Sequence, residues 1–143
     1  MKRDVRYRQG GFTLIELVVV IVIVAILAAT VLPRFLGRTE DAKRSSAVST
    51  IQTFRTQLEL YQIDVGHYPT SSQGLSALLV NAGEKGWNGP YLKDVTTVPK
   101  DAWDHDYTYK QPGDAGREYD IVSPGPDGQL GTADDIQHWN LQK

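Results

Sequence analysis

The sequence contains no cysteine and only three histidines among its 143 residues, and these scarcities exclude several kinds of site. Without cysteine, the chain forms neither a disulfide framework nor a thiolate that could bind a metal or act as a nucleophile. The histidines (His67, His105 and His138) leave little scope for a zinc enzyme. The net charge of −2 argues against a nucleic-acid partner, for which a basic face is expected.

Catalytic motifs are also scarce. We find no phosphate-binding glycine motif and no nucleophile with a suitably spaced base. The run Asp104-His105-Asp106 beside Trp103 would suit acid-base chemistry, but a surface loop explains the run better. The sequence therefore predicts a protein that is not an enzyme.

Apolar and charged residues are unevenly distributed along the chain. Residues 17–32 include one residue that is not apolar, Thr30, whereas most of the 13 glycines and 7 prolines lie beyond residue 60. The first eleven residues carry four cations and one aspartate, and the remaining residues have a net charge of −5. This distribution predicts a basic tip, an apolar helix, a mixed-charge helix and an acidic domain.

The apolar segment, residues 12–32, has the length of a membrane span. Its 21 residues would form a helix of about 31 Å, close to the roughly 30 Å hydrocarbon core of a bilayer. The preceding basic residues favour a helix whose N-terminus is cytoplasmic, with the C-terminal domain outside the inner membrane. A cleavable secretory signal fits less well, because the apolar stretch is too long and no clear A-x-A-like site follows.

Glu16 lies inside this apolar segment and requires an explanation. An acidic residue near the centre of a membrane helix costs about 2.5–3.5 kcal/mol, and less toward its end. No Lys or Arg lies between Arg8 and Arg34. Cleavage between Gly11 and Phe12 would create an α-amino group that could pair with Glu16, within one helix or between neighbours. Hydration of Glu16 near the lipid headgroups is an equally good explanation from the residues alone.

Residues 10–17 (GGFTLIEL), after a basic leader and before an apolar run, resemble the processing signal of type IV prepilins. In that family a membrane aspartyl peptidase, the prepilin peptidase, cleaves after the glycine and methylates the new amine. The resemblance implies cleavage between Gly11 and Phe12, N-methylation of Phe12 and an assembly role for Glu16. The leader, residues 1–11, would be discarded.

A second helix is predicted over residues 33–66. Apolar residues recur there at spacings of three and four, which is typical of a helix with one buried face: Ile51, Phe54, Leu58, Tyr61 and Val65. We expect this face to pack against the C-terminal domain. Gly66 is a plausible C-cap, and Pro33 is expected to kink the helix or break it locally.

Residues 67–143 are predicted to form a small globular domain. Ser71 or Ser72 could cap a short helix through Leu79. Residues 107–109 and 119–122 are rich in β-favouring side chains and indicate short strands, with a turn over residues 111–117. The predicted fold is α+β, with a long N-terminal helix packed on an antiparallel sheet of about three strands.

The chain from Tyr61 onward resembles the major pseudopilins of type II secretion systems, the general secretion pathway protein G family. The resemblance runs in the same order from Gly11 to Ile136. The family usually has proline and then glycine-asparagine-proline around the tryptophan, whereas this chain has Ala102 and Asp104-His105-Asp106, so this loop could differ in shape or partner surface. The matching residues are Tyr61, Asp64, Gly66, Tyr68-Pro69-Thr70, Gln73-Gly74-Leu75, Leu78, Gly89-Pro90-Tyr91-Leu92, Pro99-Lys100-Asp101, Trp103, Tyr107, Tyr109, Tyr119-Asp120-Ile121, Gly125 and Asp127-Gly128.

This resemblance implies a type IV pilin-like fold and assembly into a homopolymeric periplasmic pseudopilus that exports folded proteins. The implied partners are the prepilin peptidase, minor pseudopilins and an inner-membrane assembly platform with its cytoplasmic ATPase. A type IV major pilin for adhesion or motility is the alternative, although such pilins usually carry a C-terminal disulfide. A solitary membrane-tethered binding domain would need neither Glu16 nor processing at Gly11.

The acidic loop, residues 123–136, is the second candidate site. Calcium takes six to eight oxygen ligands, and three crowded carboxylates repel one another without a cation. The spacing is not that of an EF-hand, so a solvated surface loop is an equal alternative from spacing alone. The resemblance implies a Ca²⁺ ion held by the side chains of Asp127, Asp134 and Asp135. The carbonyls of Pro124 and Thr132 are further candidate ligands.

Overall fold

The computed structural model describes residues 11–141, with the side chains of residues 30–37 excepted. The chain divides into two compact units, Met1–Thr39 and Glu40–Lys143. The predicted leader lies outside the described residues except for Gly11.

One helix dominates the chain. Helix α1 runs over Leu14–Val65, 52 residues, and therefore joins the two predicted helices into one. Its helical assignment continues through Pro33, so the local break that we considered there does not occur. In the first unit the apolar side chains of residues 12–27 are exposed. Within the described part of the chain, no helix has an apolar stretch long enough to cross a bilayer.

The end of α1 is set by glycine, as predicted. Gly66 has a φ of +93°, a backbone conformation that residues other than glycine rarely adopt. Its amide donates a 2.8 Å hydrogen bond to the carbonyl of Gln62. This geometry satisfies one of the last helical carbonyls and lets the chain turn back toward the domain.

The apolar stripe of α1 forms the centre of the core, which confirms the prediction of core packing. Ile51, Phe54, Leu58 and Tyr61 are fully buried, and Ala47 extends the stripe one turn toward the N-terminus. Aromatic rings close over it, with the Phe54 and Tyr107 rings 5.1 Å apart and edge-to-face. The same core cluster includes these buried residues from the rest of the domain: Tyr68, Leu75, Ala77, Leu78, Tyr91, Leu92, Tyr107, Tyr119, Ile121 and Ile136.

Three antiparallel strands form the sheet in the order β1-β2-β3, as the sequence predicted. Strand β1 is Thr108–Lys110, β2 is Asp120–Ser123 and β3 is Ile136–Gln137. The centre of the first pair joins Tyr109 to Ile121, and Ser123 pairs with Ile136 in the second. Because β2 and β3 bracket the acidic loop, their pairing holds the two ends of that loop together.

The predicted serine cap is wrong. The short helix is a 3-10 helix, Gly74–Leu78, whose N-cap position is Gln73 without a side-chain cap. The Ser71 hydroxyl lies instead 2.7 Å from the amide of Gln111 and 2.9 Å from its carbonyl, which ties this segment to the β1–β2 connection. That connection contains a second 3-10 helix, Asp114–Gly116, where a turn was predicted.

Candidate functional site

The predicted processing site lies in an exposed, non-helical segment before α1. Gly11 and Phe12 precede the first helical residue, Leu14, and Phe12 is 87% exposed. A β-carbon placed on Gly11 would meet no atom of the described chain within 4 Å. The Gly11–Phe12 bond is therefore accessible in the isolated chain, as a peptidase substrate must be.

Glu16 has a hydrogen-bonding partner that the sequence reasoning did not consider. The Thr13 hydroxyl accepts a hydrogen bond from the Glu16 amide at 3.3 Å, and Glu16 Oε2 accepts one from the Thr13 amide at 3.5 Å. This reciprocal arrangement is a capping box, in which two helix-start amides find side-chain acceptors. The T-x-x-E spacing before an apolar run is the signal that could have identified it.

The acidic loop between β2 and β3 is ordered by its own carboxylates. Asp127 Oδ1 accepts a 2.8 Å hydrogen bond from the Gln129 amide, and Asp135 Oδ2 accepts one of 2.8 Å from Gly131. Asp134 accepts bonds from the Thr132 hydroxyl at 2.7 Å and from the Asp127 amide at 3.2 Å. The Thr132 hydrogen bond is the main cause of a lowered pKa at Asp134, which keeps this carboxyl ionised.

One carboxylate oxygen in this loop is left without a partner. Asp135 Oδ1 is buried and, within the described chain, has no hydrogen-bonding partner. The loop limbs are also close, because a β-carbon on Gly125 would lie 2.6 Å from the main-chain oxygen of Asp134. Among the described residues, no three His, Asp or Glu side chains converge as a metal site. Any ion here would therefore need main-chain carbonyls, for which Pro124 and Thr132 were the predicted sources.

The Asp104-His105-Asp106 run does not form an acid-base site. The Asp104 side chain is 88% exposed and lies 3.4 Å from the Lys100 ammonium. The His105 ring turns inward, where its Nδ1 lies 2.9 Å from the carbonyl of Gly125 in the acidic loop. Within this run, His105 therefore links its own loop to the acidic loop.

Two features define the type IV pilin-like class. One is a long N-terminal helix with an exposed Gly-Phe junction at its start, and the other is a small antiparallel sheet packed on the second half of that helix. The comparisons with known proteins agree. The family described as "Type II secretion system (T2SS), protein G" matches residues 34–139. The prokaryotic N-terminal methylation motif matches residues 6–32.

Similar proteins extend this match over nearly the whole chain. A type II secretion system core protein G of Escherichia coli K12 is 42% identical over 138 residues, covering 95% of this chain and 94% of that protein. The Pectobacterium carotovorum protein of the same name is 44% identical, covering 96% and 88%. The crystal structure of the major pseudopilin from the type 2 secretion system of enterohaemorrhagic E. coli superposes with a TM-score of 0.64 at 34% identity, covering 76% of this chain and 92% of that one.

The chain belongs to the type II secretion system protein G family. Members of this family are pseudopilins, which are structural subunits of the secretion machinery. The prediction that the chain is not an enzyme is therefore confirmed, and the adhesive type IV pilin alternative is not supported.

Proposed function

We propose that this chain is the major subunit of a periplasmic pseudopilus, and that its polymerisation drives folded proteins across the outer membrane. The observation that carries this proposal is the likeness to core protein G along nearly the whole of both chains. The exposed apolar surface of residues 12–27 agrees with it, because such a surface needs cover, first from lipid and then from neighbouring subunits.

In this proposal the subunit waits in the inner membrane before it assembles. Residues 12–32 would form a single span, with the basic leader cytoplasmic and the C-terminal domain in the periplasm. The prepilin peptidase would cut after Gly11 and methylate Phe12. The processed subunit would then pass to an inner-membrane assembly platform and join a filament that minor pseudopilins begin.

Glu16 would supply direction and register to this assembly. Lipid already covers the apolar helix, so burial of apolar surface gives little drive toward the filament. A carboxylate in an apolar setting is costly unless it is paired. Pairing Glu16 with the methylated amine of Phe12 on a neighbouring subunit would remove that cost and fix the axial offset between helices.

Replacement of Glu16 by alanine tests this pairing in cells. We expect Glu16→Ala to be cleaved and methylated normally, as mass spectrometry of the mature N-terminus would show, but to form no filament and support no secretion. The matched control is Leu17→Ala, which shortens a neighbouring exposed side chain without removing a charge. Normal secretion by the Glu16 variant, or filaments from chains that retain the leader, would contradict the proposal.

We further propose that the acidic loop binds Ca²⁺. Asp127, Asp134 and Asp135 would contribute carboxylate oxygens, and the carbonyls of Pro124 and Thr132 would complete the set. The buried, unpartnered Asp135 Oδ1 supports this, since such an oxygen usually has a partner. Bound calcium would neutralise the carboxylates. It would thereby stabilise the acidic loop, which connects β2 to β3 in this small domain.

Removal of calcium tests this second proposal. A ligand that binds only the folded state stabilises it by about 2.7 kcal/mol at one hundred times its dissociation constant. We therefore expect EDTA to lower the Tm of the purified full-length chain in detergent, and excess Ca²⁺ to restore it. Asp135→Asn should largely abolish the calcium response, whereas Asp106→Asn, an exposed aspartate in another loop, should retain it. An unchanged Tm on chelation would contradict the calcium proposal.

A further inference from the structure

Asp101 is a buried carboxylate that neither filament assembly nor the proposed ligand set uses. The residue is 7% exposed, and its side chain is fully covered. A buried charge is costly unless it is well hydrogen-bonded, so its partners indicate what it stabilises. These partners lie in two segments that are about twenty residues apart in the sequence.

One oxygen of Asp101 organises its own loop. Oδ1 accepts hydrogen bonds from the amides of Trp103 at 3.0 Å and His105 at 2.8 Å. The Asp101 amide also donates to the His105 carbonyl at 2.9 Å. Both main-chain polar groups of His105 are therefore hydrogen-bonded to Asp101, which fixes the residue that carries the ring.

The other oxygen reaches the first residues of the acidic loop. Oδ2 accepts a 2.6 Å hydrogen bond from the Ser123 hydroxyl, whose oxygen in turn accepts one from the Gly125 amide at 3.3 Å. The carbonyl of Gly125 lies 2.9 Å from His105 Nδ1, which can donate to it. Both main-chain polar groups of Gly125 are thus linked to Asp101, one through Ser123 and the other through His105.

Gly125 is where the two limbs of the acidic loop approach each other. Its φ of +64° lies in the left-handed region, and a β-carbon on it would come within 3.1 Å of Asp134 Oδ2. Fixing both polar groups of Gly125 therefore fixes the limb of the loop that lies against Asp134, which is one of the proposed calcium ligands.

We infer that Asp101 is a positioning residue that holds the acidic loop in the shape that binds Ca²⁺, acting through Ser123 and His105. The inference rests on the proposed calcium site. Residues that hydrogen-bond directly to metal ligands typically change metal affinity about 10- to 100-fold when they are replaced. Asp101 contacts none of the proposed ligands itself and acts one step further out, so its effect should lie at the lower end of that range. A residue with a structural role alone would lower stability without changing calcium affinity.

Calcium titration of the full-length chain in detergent micelles separates these roles. We expect Asp101→Asn to weaken Ca²⁺ binding about 10-fold in isothermal titration calorimetry, because an amide cannot accept from both loops as a carboxylate does. The matched control is Asp106→Asn, the same chemical change at an exposed position of the same loop, which should bind Ca²⁺ with unchanged affinity.

A second variant keeps the test decisive if Asp101→Asn does not fold. Ser123→Ala removes the bridge to Gly125 while the Asp101 contacts to Trp103 and His105 remain, and we expect it too to weaken Ca²⁺ binding. Wild-type affinity in Ser123→Ala and in any folded Asp101→Asn would overturn the positioning role even if the apo Tm falls. A wild-type chain that binds no Ca²⁺ would instead overturn the calcium site, and the positioning role with it.

Discussion

Thr13 and Glu16 exchange hydrogen bonds at the first turn of α1, so each side chain satisfies the main-chain amide of the other. Glu16 therefore has a function within a single subunit besides its proposed pairing with a neighbour. The two functions differ in what they require. Capping needs a side-chain oxygen at this position, which glutamine also provides, whereas pairing with a cationic amine needs the negative charge.

Glu16→Gln separates charge from capping. The variant should be processed between Gly11 and Phe12 and should keep its helix start, because the glutamine carbonyl can accept from the Thr13 amide. Without the charge it should neither assemble into filaments nor support secretion. Mass spectrometry of the N-terminus, electron microscopy of filaments and a secretion assay measure the three outcomes.

Thr13→Ala is the complementary variant. It removes the side-chain acceptor of the cap, which costs about 0.5–2 kcal/mol at a helix start, but it leaves the Glu16 charge in place. We expect filament formation and secretion to persist. If Thr13→Ala fails to assemble while Glu16→Gln assembles normally, capping is the main role of Glu16 and intersubunit pairing is not.

The buried stripe of α1 should carry much of the stability of the second unit. Leu58 is fully buried, so Leu58→Ala should destabilise the fold by about 2–5 kcal/mol through lost burial and the cavity that remains. Ile63→Ala is the control on the same helix. This residue is 76% exposed, and the change should alter stability by no more than about 0.5 kcal/mol. Equal losses in denaturant unfolding would show that α1 does not pack as described.

The local features of the fold could be predicted from the sequence because each has a local cause. The spacing of Ile51, Phe54, Leu58 and Tyr61 follows from the helical period, and Gly66 ends the helix because its φ is positive. Strand β3 was not located, since two residues carry too little pattern. It forms because Ile136 is buried and pairs with β2 across the acidic loop.

The candidate sites were predictable to a different degree. Gly11, Phe12 and Glu16 form a contiguous motif, so the sequence identified them together. The links from Asp101 to Ser123 and from His105 to Gly125 join loops about twenty residues apart, and no periodicity or spacing encodes them. The T-x-x-E spacing from Thr13 to Glu16 is enough to predict the capping role. The prediction considered only the charge of Glu16, because this residue lies in an apolar run.

Closure of the acidic loop can be tested at Gly125. Gly125→Ala should destabilise the loop and weaken Ca²⁺ binding, because φ is +64° and the new β-carbon would lie 2.6 Å from the Asp134 carbonyl oxygen. Gly116→Ala, outside the acidic loop, is the matched control, with φ of +79° but open space around its β-carbon. Both should carry the backbone cost of about 1 kcal/mol, as judged from Tm. Equal calcium affinities in the two variants would contradict the close approach.

His138 should make the domain less stable in mild acid. Its Nδ1 accepts a 3.1 Å hydrogen bond from the Ile121 amide, and its own amide donates to the Ile121 carbonyl at 3.0 Å. Burial lowers the pKa of His138; Asp120 raises it, and Arg55 and Arg117 lower it further. The folded state therefore binds this proton less readily than the unfolded state does, and stability is lost as the pH falls through about 6.5.

The measurement is Tm from pH 7.5 to pH 5.0, for the wild type and for His138→Gln, in detergent and with EDTA so that calcium binding does not contribute. Glutamine offers a carbonyl that can accept from Ile121 but does not titrate, so the variant should lose less Tm than the wild type over this range. His67 and His105 are common to both proteins and cancel in the comparison. Asp120 does not interfere, because the lowered pKa of its carboxyl confines its contribution to lower pH. Parallel pH profiles for the two proteins would show that His138 binds its proton equally well folded and unfolded, which its burial against Tyr119 argues against.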